Sequence, residues 1–353
     1  AKLVVTKVDT SVVAEGLRKE VRRDVQLVPG VKPRLVGFLA NKDPAARKYA
    51  EWTGRAATKD GIDYEIREVE PVALEGCIRE ANEDPGVHGI LIYYPVFGAA
   101  PSFFGGTVDD QLRDSISVEK DVEGLCPTYR NALYRNIRAL GSSKAIAPCT
   151  PLAVMKILEH LGTSTPFLKL QDKTITVVNR SEIVGRPLAA MMANDGAVVY
   201  SVDVDSIYKM VRGHMTPTDL TPDDAISLSD VVVLGVPSPN YKLDASKLKD
   251  GAVVVNVSTF KNLDDSSAEH SSASSPHKKL TYVPLVGRVT VACLERSLLT
   301  LYKQYHAPRI LLQRGSFLEV AKQRLTPQNL ALSVWAALSL YGLLAWAKRR
   351  SSC

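Results

Sequence analysis

Little in this sequence points to metal, disulfide or nucleic-acid chemistry. Its five cysteines, Cys77, Cys126, Cys149, Cys293 and Cys353, form no C-x-x-C pair, and none of its six histidines are paired at zinc-type spacing. No metal site is expected, and the cysteine usage suits a reducing compartment. The net charge is only +6, with no Lys/Arg block in the first 305 residues, so a nucleic-acid partner is not suggested. The opening run Ala1–Lys7 lacks the apolar core of a signal peptide and the Arg/Ser richness of a transit peptide, so a cytoplasmic location is expected. There is no internal repeat. What remains is ordinary: 353 residues, 45% hydrophobic and 23% charged, enough to build two cores.

Strands and helices alternate along the chain. Residues 34–40 and 62–69 read as strands, residues 43–59 as a helix with Asp43 as N-cap and Pro44 at its first position, residues 73–82 as a helix, and 88–94 as a buried strand. A helix from Thr150 to Leu161 follows, with Leu152, Met155, Leu158 and Leu161 on its apolar side. Further strands are expected at 173–178, 197–203, 230–235 and 252–257, with a short one near 282–284. This alternation predicts an α/β protein of two domains built on parallel sheets. Residues 264–279 are Ser-rich and of low complexity, and read as a mobile surface insertion.

One stretch is more specific than the rest. The strand Lys173–Val178 runs into Asn179-Arg180-Ser181-Glu182-Ile183-Val184-Gly185 and then into a helix with Pro187 in its first turn. A second strand ends in Asp203, 18 residues after Gly185, close to the roughly 20-residue spacing at which a dinucleotide fold places its ribose-binding carboxylate. The turn is not G-x-G-x-x-G: Asn and Ser stand at the first two glycine positions, and only Gly185 is left for close backbone approach. Pattern alone does not separate a dinucleotide site from a generic α/β crossover.

The residues themselves resemble the methylenetetrahydrofolate dehydrogenase family. N-R-S-E-I-V-G-R-P at Asn179–Pro187 is similar to the family's G-R-S-x-I-V-G-x-P. Tyr49 after Asp43-Pro44-Ala45-Ala46, the run Glu119-Lys120-Asp121-Val122-Glu123-Gly124-Leu125, and Pro148-Cys149-Thr150-Pro151 match in the same order. The resemblance covers roughly residues 5–305 and is strongest to the fungal, monofunctional, NAD-dependent branch.

It implies an N-terminal folate-binding domain over 1–149, joined by a returning helix at about 290–305, and a Rossmann-type NAD-binding domain over 150–289. It implies a homodimer and a tetrahydrofolate substrate, with or without a polyglutamate tail. The implied activity is oxidation of 5,10-methylenetetrahydrofolate to 5,10-methenyltetrahydrofolate with NAD in one-carbon metabolism. Tyr49 would stack on the folate ring, Asp121 would accept hydrogen bonds from the pterin, and Tyr93 and Pro284 would line the substrate. NAD would contact Asn179, Arg180, Ser181, Ile183, Val184, Gly185, Asp203, Val236, Pro237 and Thr290. The match is looser at Asn256-Val257-Ser258 and at Val283–Thr290, where two family glycines are missing.

Two departures bear on a second activity. Bifunctional relatives carry a lysine four residues after the tyrosine to serve hydrolysis of the methenyl product; Thr53 stands there and cannot supply an ammonium. Tyr93-Tyr94-Pro95 replaces a glutamine-containing motif. Cyclohydrolase activity is therefore not expected. Two rivals stay open at this stage: a bifunctional NADP-dependent enzyme, and a catalytically silent dinucleotide-binding sensor or scaffold.

Beyond about residue 306 the resemblance ends. Asn329–Ala347 carries no charge over 19 residues and is followed by Lys348-Arg349-Arg350. A membrane anchor, a helix packed on the enzyme and sequence foreign to the family are three readings of this tail. Every expected site residue precedes it. A chain ended near His306 is accordingly expected to keep kcat/KM unchanged in soluble protein, and loss of activity in a folded truncation would refute this.

Overall fold

A computed structural model describes residues 3–28, 31–164, 170–266 and 278–307. The chain opens with β1 (Leu3–Lys7) and α1 (Ser11–Leu27), then β2 (Arg34–Leu39), α2 (Pro44–Lys59), β3 (Asp63–Glu68), α3 (Leu74–Glu83) and β4 (Gly89–Ile92). Short helices α4 (Val108–Asp114) and α5 (Pro127–Tyr134) and a small ladder of β5 (Ala139–Leu140) and β6 (Ser143–Lys144) lead to α6 (Cys149–Ser164). The second half holds β7 (Thr174–Val178), α7 (Gly185–Asn194), β8 (Val198–Val202), β9 (Ile207–Val211), β10 (His214–Pro217), α8 (Pro222–Leu228) and β11 (Val231–Leu234). It continues through β12 (Leu243–Asp244), β13 (Val253–Asn256), β14 (Leu263–Asp264) and β15 (Lys278–Val283) to α9 (Gly287–Leu301).

Two sheets carry the fold. The smaller is parallel, in the order β3-β2-β4, and its core gathers Val36, Phe38, Leu74, Ile78, Ile90 and Ile92. The larger has eight strands, in the order β1-β15-β13-β11-β7-β8-β9-β10. β1 through β8 in that order are parallel, and β9 and β10 are antiparallel additions. Its central strands are buried β-branched runs such as Val231–Val233 and Val253–Val255, as expected of a parallel sheet covered on both faces.

The structure differs from the sequence expectation in three places. β1 belongs to the larger sheet, so the first domain does not own residues 3–7. The strand near 282–284 starts at Lys278, because β15 is paired on both sides, by β1 and β13. The β9–β10 hairpin was not anticipated: its turn is Arg212-Gly213, both at positive φ (44° and 81°), the two-residue geometry that matches strand twist. Residues 267–277 of the Ser-rich stretch, and 308–353 of the tail, lie outside the described residues. Among the described residues no helix is long and apolar enough to cross a membrane.

α9 is the helix that ties the halves together, packing on both α1 and α6. Where it meets α1 and the end of α2, Glu295 is fully buried, and neither carboxyl oxygen has a hydrogen-bond partner of good geometry among the described residues. Asp60, also buried, accepts from Arg18 Nε (2.5 Å) and Arg22 Nη1 (2.9 Å), and Arg18 lies 3.9 Å from Glu295. Burial, and then the neighbouring Asp60 charge, raises the Glu295 carboxyl well above the ordinary carboxylate range. A group whose folded pKa is raised contributes stability below its unfolded pKa and loses it as pH rises toward the folded value. Wild-type Tm should therefore fall from mildly acid to alkaline pH, and Glu295→Gln should flatten that slope. Parallel Tm–pH curves for the two proteins would contradict this.

Candidate active site

The first group of expected residues comes together on α2, β4 and the following loop. Asp43 caps α2, accepting from Ala45 N at 2.8 Å, which sets the helix that carries Tyr49 and Thr53. Tyr49 is 37% exposed, stacks on Trp52 at 6.1 Å and meets Tyr93 edge-on at 6.0 Å. Tyr93 is buried, and its hydroxyl hydrogen-bonds that of Tyr64 on β3. Tyr64 fits because Gly37 and Gly54 leave room: a Cβ on either would come within 2.6 Å of its ring or hydroxyl. Tyr64 was missed from sequence; the two glycines facing it were the available signal. Thr53 is buried, and its hydroxyl has no hydrogen-bond partner of good geometry beside Tyr93.

The acidic run corrects one expectation. Asp121 is fully buried and already engaged: Oδ1 accepts from the backbone N–H of Glu123 (3.1 Å) and Gly124 (2.9 Å), and Oδ2 from Cys126 (2.7 Å). Its carboxylate shapes the loop and is not presented to a ligand. Lys120 is likewise spent, donating to the carbonyls of Ala81 and Asp84 at the end of α3. The unspent acid is Glu123. Part of its side chain is accessible, but its Oε2 is sealed and unpartnered, while a backbone hydrogen bond reaches the carboxyl from Ile92. Burial, then the Asp121 charge, pushes Glu123 up to about 8, and its field reaches Tyr49, Tyr94 and Cys149.

Cys149 does structural work. Its thiol donates to Val122 O at 3.1 Å and its backbone N–H to Glu123 O at 3.3 Å, so the P-C-T-P turn holds the acidic loop in place. Burial holds this thiol well above its ordinary value, which favours the neutral thiol that makes this contact.

The second group assembles at the C-terminal ends of β7, β8 and β11, where the strand order reverses around β7. This is the switch point at which doubly wound sheets bind ligands. Asn179 takes the left-handed backbone (φ 91°) that glycine would usually fill, and its Oδ1 accepts from Ser181 N at 2.8 Å. Ser181 Oγ then accepts from the N–H groups of Val184 and Gly185, both at 3.3 Å. A Cβ on Gly185 would lie 1.8 Å from Asn179 O, so no other residue fits there. Asn179, Ser181, Ile183, Val184 and Gly185 thus form one turn opening into α7.

Asp203 is exposed just past the end of β8, its carboxylate accepting from the N–H of the next residue, Val204, at 3.0 Å. Arg180 does not face outward to a ligand. Nε donates to Ser201 Oγ (3.1 Å), Nη1 to Ser206 Oγ (3.0 Å) and Nη2 to the carbonyls of Ser201 (2.7 Å) and Ser206 (2.9 Å), with the guanidinium 4.6 Å over the Tyr208 ring.

Val236 and Pro237 follow β11, and the Val236 N–H donates to Asn262 Oδ1 at 3.0 Å. The loosened Asn256-Val257-Ser258 segment has its own logic: the Asn256 amide donates to the carbonyls of Ser258, Phe260 and Pro284, fixing Pro284 beside the β13 end. Thr290 lies in the first turn of α9, its hydroxyl donating to Val286 O at 3.3 Å. Among the described residues no group of His, Cys, Asp or Glu converges in a way that could hold a metal ion.

Known proteins fit this arrangement closely. The chain is 45% identical to a methylenetetrahydrofolate dehydrogenase [NAD(+)] of Dictyostelium discoideum over 310 residues, 84% of this chain and 94% of that protein. It is also 45% identical to the enzyme of the same name from Schizosaccharomyces pombe, over 82% of this chain and 90% of that one. The solved structure of the NAD-dependent 5,10-methylenetetrahydrofolate dehydrogenase from Saccharomyces cerevisiae superposes with a TM-score of 0.76 at 40% identity, covering 88% of this chain and 99% of that one. Residues 8–123 match the tetrahydrofolate dehydrogenase/cyclohydrolase catalytic-domain model and residues 148–306 its NAD(P)-binding-domain model, and the chain belongs to that family.

Proposed function

We propose that the protein oxidises 5,10-methylenetetrahydrofolate to the methenyl form with NAD⁺, and that it does not hydrolyse the product. The observation that carries this reading is the Glu123 carboxyl, with one oxygen sealed and without a hydrogen-bond partner among the described residues, its charge felt by Tyr49, together with Thr53 where a proton-transferring lysine would be needed.

Loss of hydride from a methylene between two nitrogens needs little acid–base help, because the nitrogen lone pairs stabilise the cation as it forms. The protein's task is placement and exclusion of water. Tyr49 offers a ring face for stacking. Glu123 accepts from the amino and ring N–H groups of the pterin, a fork that a carboxylate matches. The bound NAD⁺ supplies the hydride acceptor. The Asn179–Gly185 turn fits its pyrophosphate, since backbone N–H groups at a helix start favour an anion and Gly185 lets the chain approach closely. Asp203 fits the adenosine ribose hydroxyls. Hydrolysis would need a proton moved at the adduct, and the Thr53 hydroxyl carries no charge to drive that. A cytoplasmic homodimer acting in one-carbon metabolism is part of the same reading.

NADH formation and methenyltetrahydrofolate absorbance, followed together, test the whole proposal. Equimolar accumulation of both is expected, with the methenyl product then decaying at the buffer rate. Faster decay would show cyclohydrolase activity.

Cofactor choice follows from two side chains. A 2′-phosphate would meet the Asp203 carboxylate, and two charges 4 Å apart at an effective dielectric of 20 repel by about 4 kcal/mol before screening. A third of that is about tenfold in affinity. Arg180, the cation of the Asn179–Gly185 turn, has its donors committed to Ser201 and Ser206. Asp203→Ser should narrow the NAD⁺ over NADP⁺ preference in kcat/KM by about tenfold; an unchanged ratio would remove Asp203 from the site.

Glu123 gives a pH-dependent prediction. Its ionised form is the acceptor, so the folate KM should rise as pH falls below about 8. Glu123→Ala should weaken folate binding by about 2–5 kcal/mol while leaving NAD⁺ affinity intact. Asp121→Ala should act instead through a lowered Tm, because three backbone N–H groups lose their acceptor. A folate KM unchanged in Glu123→Ala, with no pH slope in wild type, would return the role to another residue.

A further inference from the structure

Three polar atoms around the Glu123 loop are sealed from solvent and without a hydrogen-bond partner among the described residues: Glu123 Oε2, the Tyr94 hydroxyl and Arg113 Nε. They are complementary in kind, one carboxylate acceptor and two donors. Each group lies within the field of the others: Arg113 acts on Glu123, and Glu123 on both Tyr94 and Arg113. A buried polar group left unmatched costs stability, so three in one place mark atoms that the fold keeps for a purpose.

The cation is fixed by its helix. Thr107 and Asp110 form a capping box at the start of α4, and Asp110 also accepts from Arg113 Nη1 at 2.7 Å. Asp109 accepts from the backbone N–H groups of Val96 (3.1 Å), Phe97 (2.9 Å) and Gly98 (3.2 Å), which ties α4 to the segment leaving β4. Arg113 is only 3% exposed, with its guanidinium 5.4 Å from the centre of the Tyr94 ring. Tyr94 itself is two residues past Ile92, whose backbone reaches the Glu123 carboxyl.

We infer that Arg113 and Tyr94 are positioning residues of the folate site: granted that Glu123 is the acceptor for the pterin, they act on the ligand through its carboxylate, Arg113 by charge and Tyr94 by its hydroxyl, with α4 as the mount. The groups around that carboxylate divide by sign. Asp121, on the same loop, opposes its ionisation, and Arg113 from α4 favours it. The Tyr49 hydroxyl from α2 and the Cys149 thiol from α6 are held neutral by burial, and Lys120 donates to carbonyls at the end of α3. Burial also keeps the Tyr94 proton in place, so its O–H stays a donor. Without Arg113 the Glu123 carboxyl would hold its proton to a higher pH, and a protonated carboxyl cannot accept from two pterin N–H groups at once. Neither residue is placed at the reacting methylene, so the effect falls on KM and not on kcat.

The test measures the KM for 5,10-methylenetetrahydrofolate from about pH 6.5 to about pH 9.5 at saturating NAD⁺, in folded wild type, Arg113→Gln, Arg113→Lys, Tyr94→Phe and Glu123→Gln. Arg113→Gln should move the inflection up by about one pH unit, which raises KM about tenfold at pH 7 and lets it converge on wild type at the alkaline end. Arg113→Lys, which keeps the charge, should stay near the wild-type curve, and Tyr94→Phe should shift the same way as Arg113→Gln by less. Curves for Arg113→Gln and Tyr94→Phe that superpose on wild type overturn the inference. So does a KM raised equally at every pH, the mark of a merely structural role, or an Arg113→Lys curve displaced as far as that of Arg113→Gln. A wild-type KM without an inflection, or an inflection that survives in Glu123→Gln, overturns the Glu123 reading and this inference with it.

Discussion

Three backbone N–H groups converging on the Asp121 carboxylate decide where the rest of the folate side can stand. The carboxylate is removed from water, and burial raises its pKa, yet the donors of Glu123, Gly124 and Cys126 make the loop that wraps it the lowest-energy path for the chain. That loop is pinned twice more. The Ile90 N–H donates to Lys120 O on the β4 side, and Cys149 holds the carbonyls of Val122 and Glu123 from the α6 side. Glu123 is left with one oxygen unsatisfied, and the two donors that feel its charge, the Tyr94 hydroxyl and Arg113 Nε, are likewise without a hydrogen-bond partner among the described residues.

The run Lys120-Asp121-Val122-Glu123-Gly124 shows what could and could not be read in advance. As a motif it was legible, and it does mark the site. Which acid is left unspent was not, because three charged side chains within four positions have three different fates. Lys120 caps α3, Asp121 organises the loop and Glu123 keeps one carboxyl oxygen without a hydrogen-bond partner among the described residues. Those fates depend on the spatial position of α3 and Cys149, which sequence spacing does not contain. The alternation of strands and helices, by contrast, was plain, since buried runs such as Val231–Leu234 have few other places to go. The strands of the larger sheet that escaped notice are β1 and β10 at its two edges and β9 beside β10, whose burial is mixed or low and whose hydrophobic pattern is therefore weakest.

On the dinucleotide side the departures from the glycine-rich fingerprint prove to be substitutions in kind. Asn179 adopts the positive φ a glycine would, and repays it with a side-chain hydrogen bond that orders the turn. Gly185 could not be replaced in this way, because the obstacle there is a carbonyl oxygen and not a dihedral preference. Arg180 is the opposite case: a residue type suited to phosphate that the fold has turned inward to brace the turn between β8 and β9. Residue identity suggested its chemistry; only the presence of Ser201 and Ser206 within reach determines where that chemistry is spent.

The placement of β1 has a consequence for taking the molecule apart. The chain lays its first strand along β15 in the cofactor sheet, crosses to build α1 and the small sheet, and comes back beside the same spot. Val8 N donates to Tyr282 O and Thr10 Oγ1 to Leu285 O, so the outgoing and returning segments lie side by side. A cofactor domain excised as a contiguous fragment would lack β1, and the outer edge of β15, with its Leu280 and Tyr282, would be left as a bare ladder of donors and acceptors next to newly exposed apolar surface. Such an edge recruits whatever strand is at hand, including another copy of itself. The two domains are thus legible as modules in sequence but are not modular as materials.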